Sequence, residues 1–373
     1  MRTQTAVLFE QPGTWEVVDL DLEAPRQGEL LVRMAAAGLC HSDDHMTSGD
    51  LVLPPGALPI AGGHEAAGVV EEVGPHTPGW SAGDRVVMSF LPACGMCRWC
   101  ASGMQNLCDN GALVLAGIRP DGTRRFSLDG APVGQAAGVA AFSRYSTVSV
   151  QSAVKIPDDV PLEVAALLGC GVPTGWGSAV RSAGVRPGDV VMVMGVGGIG
   201  MNAVQGAAHA GASVVIAVDP VAAKREVAGS FGATHTAATM EEATQIARGF
   251  TNGQGADSCV VCVGVVTGEQ IAQAVEAIRK AGTVVLTGLP RAADDHSLPV
   301  STRHLTLFQK RIQGSLFGES NFSRDIPGLL RMYRHGQLKL DELITNRYTL
   351  ETLNEGFADM RAGRNIRGVV VYD

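Results

Sequence analysis

The chain has 373 residues, of which 46% are apolar and 18% charged, with eight cysteines and a formal net charge of -8. Its length exceeds the roughly 100 to 200 residues of a typical domain, so two domains are expected, and its composition excludes a disordered chain. The acidic balance, with no run of Lys and Arg longer than a pair, argues against nucleic acid as a partner.

The first residues lead into a strand-like run rather than an apolar segment with a cleavage site, so a cytoplasmic protein is expected. In that reducing compartment clustered thiols bind metal more often than they form disulfides. From Val7 to about Val150 short β-type runs alternate with glycine and proline: Glu29 to Met34, Gly68 to Val73, Asp84 to Met88 and Tyr145 to Val150. The stretch from Gly111 to Gly138 reads as a long, glycine-rich surface excursion.

Within the first half, Cys94, Cys97, Cys100 and Cys108 follow the spacing C-x2-C-x2-C-x7-C. Four thiolates this close suit a tetrahedral zinc, and a site with every position filled is structural. Free or disulfide-bonded cysteines and an iron–sulfur cluster are the alternatives. A second set is scattered: Cys40 in the segment GLCHSDDH, His64 in Gly63-His64-Glu65, and Cys170 in Leu168-Gly169-Cys170-Gly171. Each alone fits packing as well as ligation. Together a Cys, a His and a Cys would give zinc three ligands and one open position, as a catalytic metal requires.

Beyond Val172 buried strands alternate with helix-length segments: Val190 to Met194, Val214 to Val218, Ser258 to Val263 and Val284 to Thr287. Continuous apolar runs of this kind belong to a parallel sheet covered on both faces, so this region is a doubly wound α/β unit. Val190 to Val218 is uncharged over 29 residues, but six glycines with Asn202, Gln205 and His209 interrupt it, and no membrane span is expected. Between its first strand and a helical stretch lies Gly195-Val196-Gly197-Gly198-Ile199-Gly200. The first glycine makes the turn, the second admits a pyrophosphate, and the third lets helix and strand pack. Asp219, 19 residues after Gly200, suits the adenosine ribose and repels a 2'-phosphate, so NAD is favoured over NADP. A glycine-rich turn with an incidental Asp is the alternative.

Some chemistry-bearing residues invite over-reading. Cys259 and Cys262 lie in the apolar run SCVVCVG and are read as packing residues. His209, His235, His296, His304 and His335 have no partner spacing, and the acids around Glu241 and Asp294 read as solvated faces. The tail from Ser315 carries helical segments at Ile326 to His335 and Leu350 to Ala362, then a strand-like end at Gly368 to Tyr372, and is expected to return to the first domain.

From GLCHSDDH through to NIRGVVVYD the chain resembles the zinc-dependent medium-chain alcohol dehydrogenases. The resemblance implies a GroES-like, mainly-β catalytic domain (1–171 and 315–373) with a structural-zinc lobe, and a Rossmann domain (172–314) with a doubly wound parallel sheet. It implies two zinc ions, one held by Cys40, His64 and Cys170 and one by Cys94, Cys97, Cys100 and Cys108. Asp43 and Glu65 match acids that orient the ligands, and Ser42 and His45 match a relay for the alcohol proton. His41 and Arg367 match contacts to the pyrophosphate, Lys224 one near the adenosine ribose, and Thr174 one near the nicotinamide, beside the loop Gly195, Gly197, Gly198, Ile199 and Gly200 and the ribose acid Asp219. Phe90 and Phe317 match the walls of the alcohol pocket.

The implied reaction is hydride transfer between a primary aliphatic or aromatic alcohol, or its aldehyde, and NAD(H), in a homo-oligomer. The segments GGIGMNAVQGA, GSLFGESNFSRDIPGLL and LKLDELITNRY resemble the nicotinoprotein subgroup of actinobacteria, in which NAD(H) stays bound. There an external acceptor, a nitrosoaniline dye in the assay and a mycofactocin-type partner as proposed for the group, recycles it. The alternatives are a dehydrogenase that exchanges NAD at each turnover and a non-catalytic zinc- and nucleotide-binding protein. Ala112 stands where glutathione-dependent relatives carry an arginine, which disfavours glutathione adducts.

Overall fold

The structure, a computed structural model, describes residues 1–294 and 298–373. His296 therefore lies outside the described residues. Contacts divide the chain into two units, Met1–Cys170 with Asn321–Asp373, and Gly171–Ser320.

The first unit is built from β-strands. Arg2–Leu8, Glu16–Leu22, Phe126–Leu128, Ala131–Gln135 and Ile60–Ala61 close a small barrel. A second sheet runs in the order Ala153–Lys155, Arg85–Met88, Glu65–Val73, Glu29–Gly38, Arg367–Val371, Ile344–Tyr348, with Tyr145–Ser149 also paired to Glu29–Gly38. Trp15, Phe142 and Phe357 fill part of its core, with ring centroids 5.8 Å apart for Trp15 and Phe142 and 5.9 Å for Phe142 and Phe357. The segment from Gly111 to Gly138 corrects the expectation of a surface excursion. It supplies two barrel strands, and Arg125, Phe126 and Gln135 are buried. Strands of three and five residues are too short to show alternation above the glycines around them.

The second unit is a six-stranded parallel sheet ordered His235–Ala237, Val214–Val218, Val190–Met194, Ala256–Val261, Ile278–Leu286, Arg311–Gly314. Counted along the chain this is 3-2-1-4-5-6, the order of doubly wound dinucleotide folds. All five residues of Val190–Met194 and of Val214–Val218 are buried, because helices cover both faces. The strand Ile278–Leu286 begins earlier than its apolar run, since Ile278 already pairs with Ala256 across an irregularity. The outermost strands, His235–Ala237 and Arg311–Gly314, are short and largely polar, and no periodicity announces them.

Candidate active site and metal centres

Three neighbouring strands assemble the scattered ligands. Glu29–Gly38 lies between Glu65–Val73 and Arg367–Val371, and its last residue, Gly38, is in register with Glu65 on one side and Val369 on the other. Cys40 follows two residues after Gly38, His64 directly precedes Glu65, and Arg367 starts its strand, so all reach one end of the sheet. Cys170 comes from the turn after Leu167–Gly169, which lies against Glu65. The ligand atoms of Cys40, His64, Glu65 and Cys170 lie within 4.8 Å of one another, and all four residues are buried. Gly38 is required here, because a Cβ would run into the Glu65 carboxylate and the Arg367 guanidinium.

The cluster carries excess negative charge. Asp43 and Glu65 are fully buried, and the thiols of Cys40 and Cys170 lie beside them. His64 Nδ1 faces Asp43 Oδ1 at 3.0 Å, which leaves Nε2 as the ring atom available to a metal. Burial disfavours a charged imidazole, but Asp43 and Cys40 outweigh it and hold the His64 pKa well above its ordinary value. Burial raises the Glu65 carboxyl to about 7 against the pull of its ion pair with Arg367. A hydrogen bond from Cys170 holds the Cys40 thiol well below its usual range, and the same bond pushes Cys170 up. Asp43 Oδ2 has no hydrogen-bond partner among the described residues. Two thiols and an imidazole whose ligand atoms converge, with two acids beside them out of water, fit a divalent cation.

The four-cysteine loop stands alone. Its four sulfur atoms also lie within 4.8 Å of one another, and none of them is in a disulfide. Backbone amides point at the sulfurs: Cys94 N–H at Cys108 Sγ (3.3 Å), Met96 and Cys97 N–H at Cys94 Sγ (3.4 and 3.2 Å), and Cys100 N–H at Cys97 Sγ (3.5 Å). Amides converging on sulfur stabilise thiolates. The Cys100 amide brings the Cys97 thiol down to about 6, whereas burial raises Cys100 to about 12. Such a donor set fits a closed zinc site.

In the second unit, Gly195 turns the chain with φ +85° and presses against Cys262. Gly197 caps the helix Gly198–His209, and a Cβ there would meet no protein atom, so the backbone amides at the helix start are open to an anion. A Cβ on Gly200 would strike the Gly195 carbonyl. Asp219 is buried, with Oδ2 accepting from the Val196 amide (3.0 Å) and Oδ1 from that of Val221 (2.9 Å). The acid therefore organises the loop. Arg225 escaped the sequence reading, yet its guanidinium binds the Asp219 carbonyl at 2.7 Å. Its place six residues after Asp219, on the helix Ala222–Ala228, was the available signal.

The remaining predicted residues fall as follows. Ser42 is half-buried, with Oγ 3.8 Å from Cys40 Sγ. His45 is buried with Nδ1 3.6 Å from Asp50, and the exposed His41 lies with its ring 6.4 Å from that of His45. Phe90 sets its ring edgewise on His64 at 5.6 Å. Thr174 and Phe317 are buried in the second unit, and Lys224 lies half-buried on the helix Ala222–Ala228. Cys259 is a buried strand residue and Cys262 follows the strand's end, neither in a metal cluster among the described residues. His304 pairs with Glu276 at the surface.

Comparison with known proteins agrees with this arrangement. Residues 26–158 match the alcohol dehydrogenase GroES-like domain and residues 198–334 the zinc-binding dehydrogenase family. The NDMA-dependent alcohol dehydrogenase of Amycolatopsis methanolica is 50% identical over 372 residues, covering 100% of this chain and 99% of that one. The crystal structure of an alcohol dehydrogenase zinc-binding domain protein from Burkholderia ambifaria superposes with a TM-score of 0.91 at 32% identity, covering 100% and 99% of the two chains. Benzyl alcohol dehydrogenase from Acinetobacter calcoaceticus gives a TM-score of 0.91 at 27% identity, with both chains covered in full. The chain belongs to the zinc-dependent medium-chain alcohol dehydrogenase family, with a GroES-like domain and a Rossmann domain. It is an alcohol dehydrogenase, and its cofactors are zinc and NAD(H). No helix among the described residues is long and apolar enough to cross a membrane.

Proposed function

We propose that the protein oxidises a primary aliphatic or aromatic alcohol, or reduces the aldehyde, with NAD(H) held through turnover and recycled by an external acceptor. The buried Cys40–His64–Cys170 cluster, with Asp43 on the His64 ring and Glu65 paired with Arg367, carries this reading. The half-identity over full length to a protein named NDMA-dependent supports the retained cofactor.

Cys40, His64 and Cys170 would hold the catalytic zinc, and Cys94, Cys97, Cys100 and Cys108 the structural one. Bound zinc favours loss of the alcohol proton, and bound NAD accepts the hydride. Asp43 orients the His64 ring and keeps its Nε2 lone pair free for the metal. Glu65, paired with Arg367, keeps negative charge beside the ligands. Ser42 takes up the alcohol proton and His45, beside Asp50, passes it towards solvent. Phe90, standing against His64, shapes the apolar wall for the alcohol, with Phe317 as a second wall. Gly195 to Gly200 bind the pyrophosphate with His41 and Arg367, while Asp219 and Lys224 hold the adenosine ribose and Thr174 the nicotinamide. The expected setting is a cytoplasmic homo-oligomer.

The test is purification without added nucleotide, followed by zinc analysis and the near-ultraviolet absorbance of retained NADH after gel filtration. Two zinc per chain with nicotinamide retained, and turnover with a nitrosoaniline acceptor in the absence of free NAD, is expected. Nucleotide-free protein that turns over only with added NAD would establish the dissociable-cofactor alternative.

A further inference from the structure

The second unit's own sheet sets the direction of a dinucleotide on it. Asp219 directly follows the strand Val214–Val218, on one side of the glycine loop. The other half of an extended dinucleotide then runs the opposite way, over the carboxyl ends of Ala256–Val261, Ile278–Leu286 and Arg311–Gly314. Immediately after the last of these strands the backbone is strained: Phe317, Gly318 and Glu319 take φ of 55°, 62° and 52° in succession. Two of the three carry side chains, which disfavour that conformation, and strain of this kind persists only where surrounding structure enforces it.

One helical turn enforces it. The helix Gly171–Gly177 continues into a π-helical turn, Ser178–Ser182, a form that recurs at functional sites. The hydroxyls of Ser178 and Ser182 reach Ser315 Oγ at 2.9 and 2.8 Å, and Arg181 Nε donates to the Gly318 carbonyl at 2.9 Å. A Cβ on Gly177 would collide with that carbonyl and with the Arg181 guanidinium, and one on Gly318 would strike the carbonyls of Pro173 and Thr174. The same helix abuts the phosphate-loop helix, with Gly175 against Ile199 and Gly206 against Trp176. A continuous packed path thus joins the loop to the strained turn.

We infer that Arg181 is a positioning residue for the nicotinamide half of the cofactor: through Gly318 it fixes the left-handed turn that sets Phe317 next to the helix bearing Thr174. This rests on the dehydrogenase reading above.

The test titrates nucleotide-stripped protein with NADH and with ADP-ribose, which shares the adenosine and pyrophosphate but lacks nicotinamide. Arg181→Met removes the donor while keeping bulk. Loss of a hydrogen bond from a charged donor is expected to weaken NADH binding about tenfold and to leave ADP-ribose within about twofold of wild type. Arg181→Lys should recover part of the loss. Equal weakening of both ligands, or of neither, overturns the inference. Should Arg181→Met fail to fold, Ser315→Ala, which removes both serine contacts to the turn, carries the same expected split and the same overturning results. Wild-type protein that binds neither ligand would overturn the dehydrogenase reading, and this inference with it.

Discussion

Asp43 Oδ1 stands 3.0 Å from His64 Nδ1, and both side chains are buried. Asn at position 43 could still accept one hydrogen bond but would supply no charge. Asp43→Asn is therefore expected to lower zinc affinity at this cluster about 10- to 100-fold. Chelator competition measures it, and the four-cysteine site serves as the internal control. Unchanged affinity would remove Asp43 from the site's machinery.

Cys170 contributes one of the two thiols to the catalytic cluster. Cys170→Ala leaves Cys40 and His64, too few donors for a stable site, so about one zinc per chain should be lost and turnover abolished. Zinc analysis with circular dichroism separates this from misfolding. Full activity in the variant would sink the proposed mechanism.

Cys97 accepts the Cys100 amide and shares its cluster with three other thiols. Cys97→Ser should release the structural zinc and lower the thermal midpoint by about 5 °C or more, because metal binding there is folding free energy. A variant that melts like the wild type would make the loop's metal dispensable.

Asp219 accepts the Val196 and Val221 amides, and the proposed function puts its negative charge beside the adenosine ribose. Asp219→Gly should weaken NADH binding and lower the preference for NADH over NADPH by about tenfold, since a like charge against the 2'-phosphate is removed. The ratio of the two dissociation constants is the measurement, and an unchanged ratio refutes the assignment.

Glu29 is buried between two arginines, with Arg125 Nη2 at 2.8 Å and Arg119 Nη2 at 2.7 Å. Burial raises its pKa, but Arg125 and Arg119 outweigh that and hold it below the ordinary value. Its contribution to stability is thus complete above the unfolded-state pKa of about 4.3 and is lost as pH falls through the depressed folded value. Glu29→Gln removes the carboxylate the two guanidinium groups share, while Arg125 keeps Asp121 and Arg119 keeps Gln135 and the Thr147 carbonyl, so it should cost about 1.5 to 3 kcal/mol at neutral pH. Denaturant melts of both proteins across the acidic range measure this, and the difference between them should shrink as the pH drops.

Legibility followed sequence distance. The four-cysteine loop spans 15 residues and the glycine loop six, so both could be read directly. The strands around Gly111 to Gly138 could not, because their burial comes from a barrel closed by residues as distant as Arg2–Leu8. Arg225 and Arg181 were equally silent, since each acts through a backbone carbonyl that the fold delivers.

What the sequence determined by itself was the chemistry: thiols, an imidazole and acids of the right kinds, and a loop whose glycines suit a pyrophosphate. The tertiary structure alone decided that Cys40, His64, Glu65, Cys170 and Arg367 meet. They meet because Gly38 is paired with Glu65 on one flank and Val369 on the other, a register set by strands that close across more than 300 residues of chain. Hydrogen-bond register and burial are properties of the assembled sheet, and no local pattern encodes them.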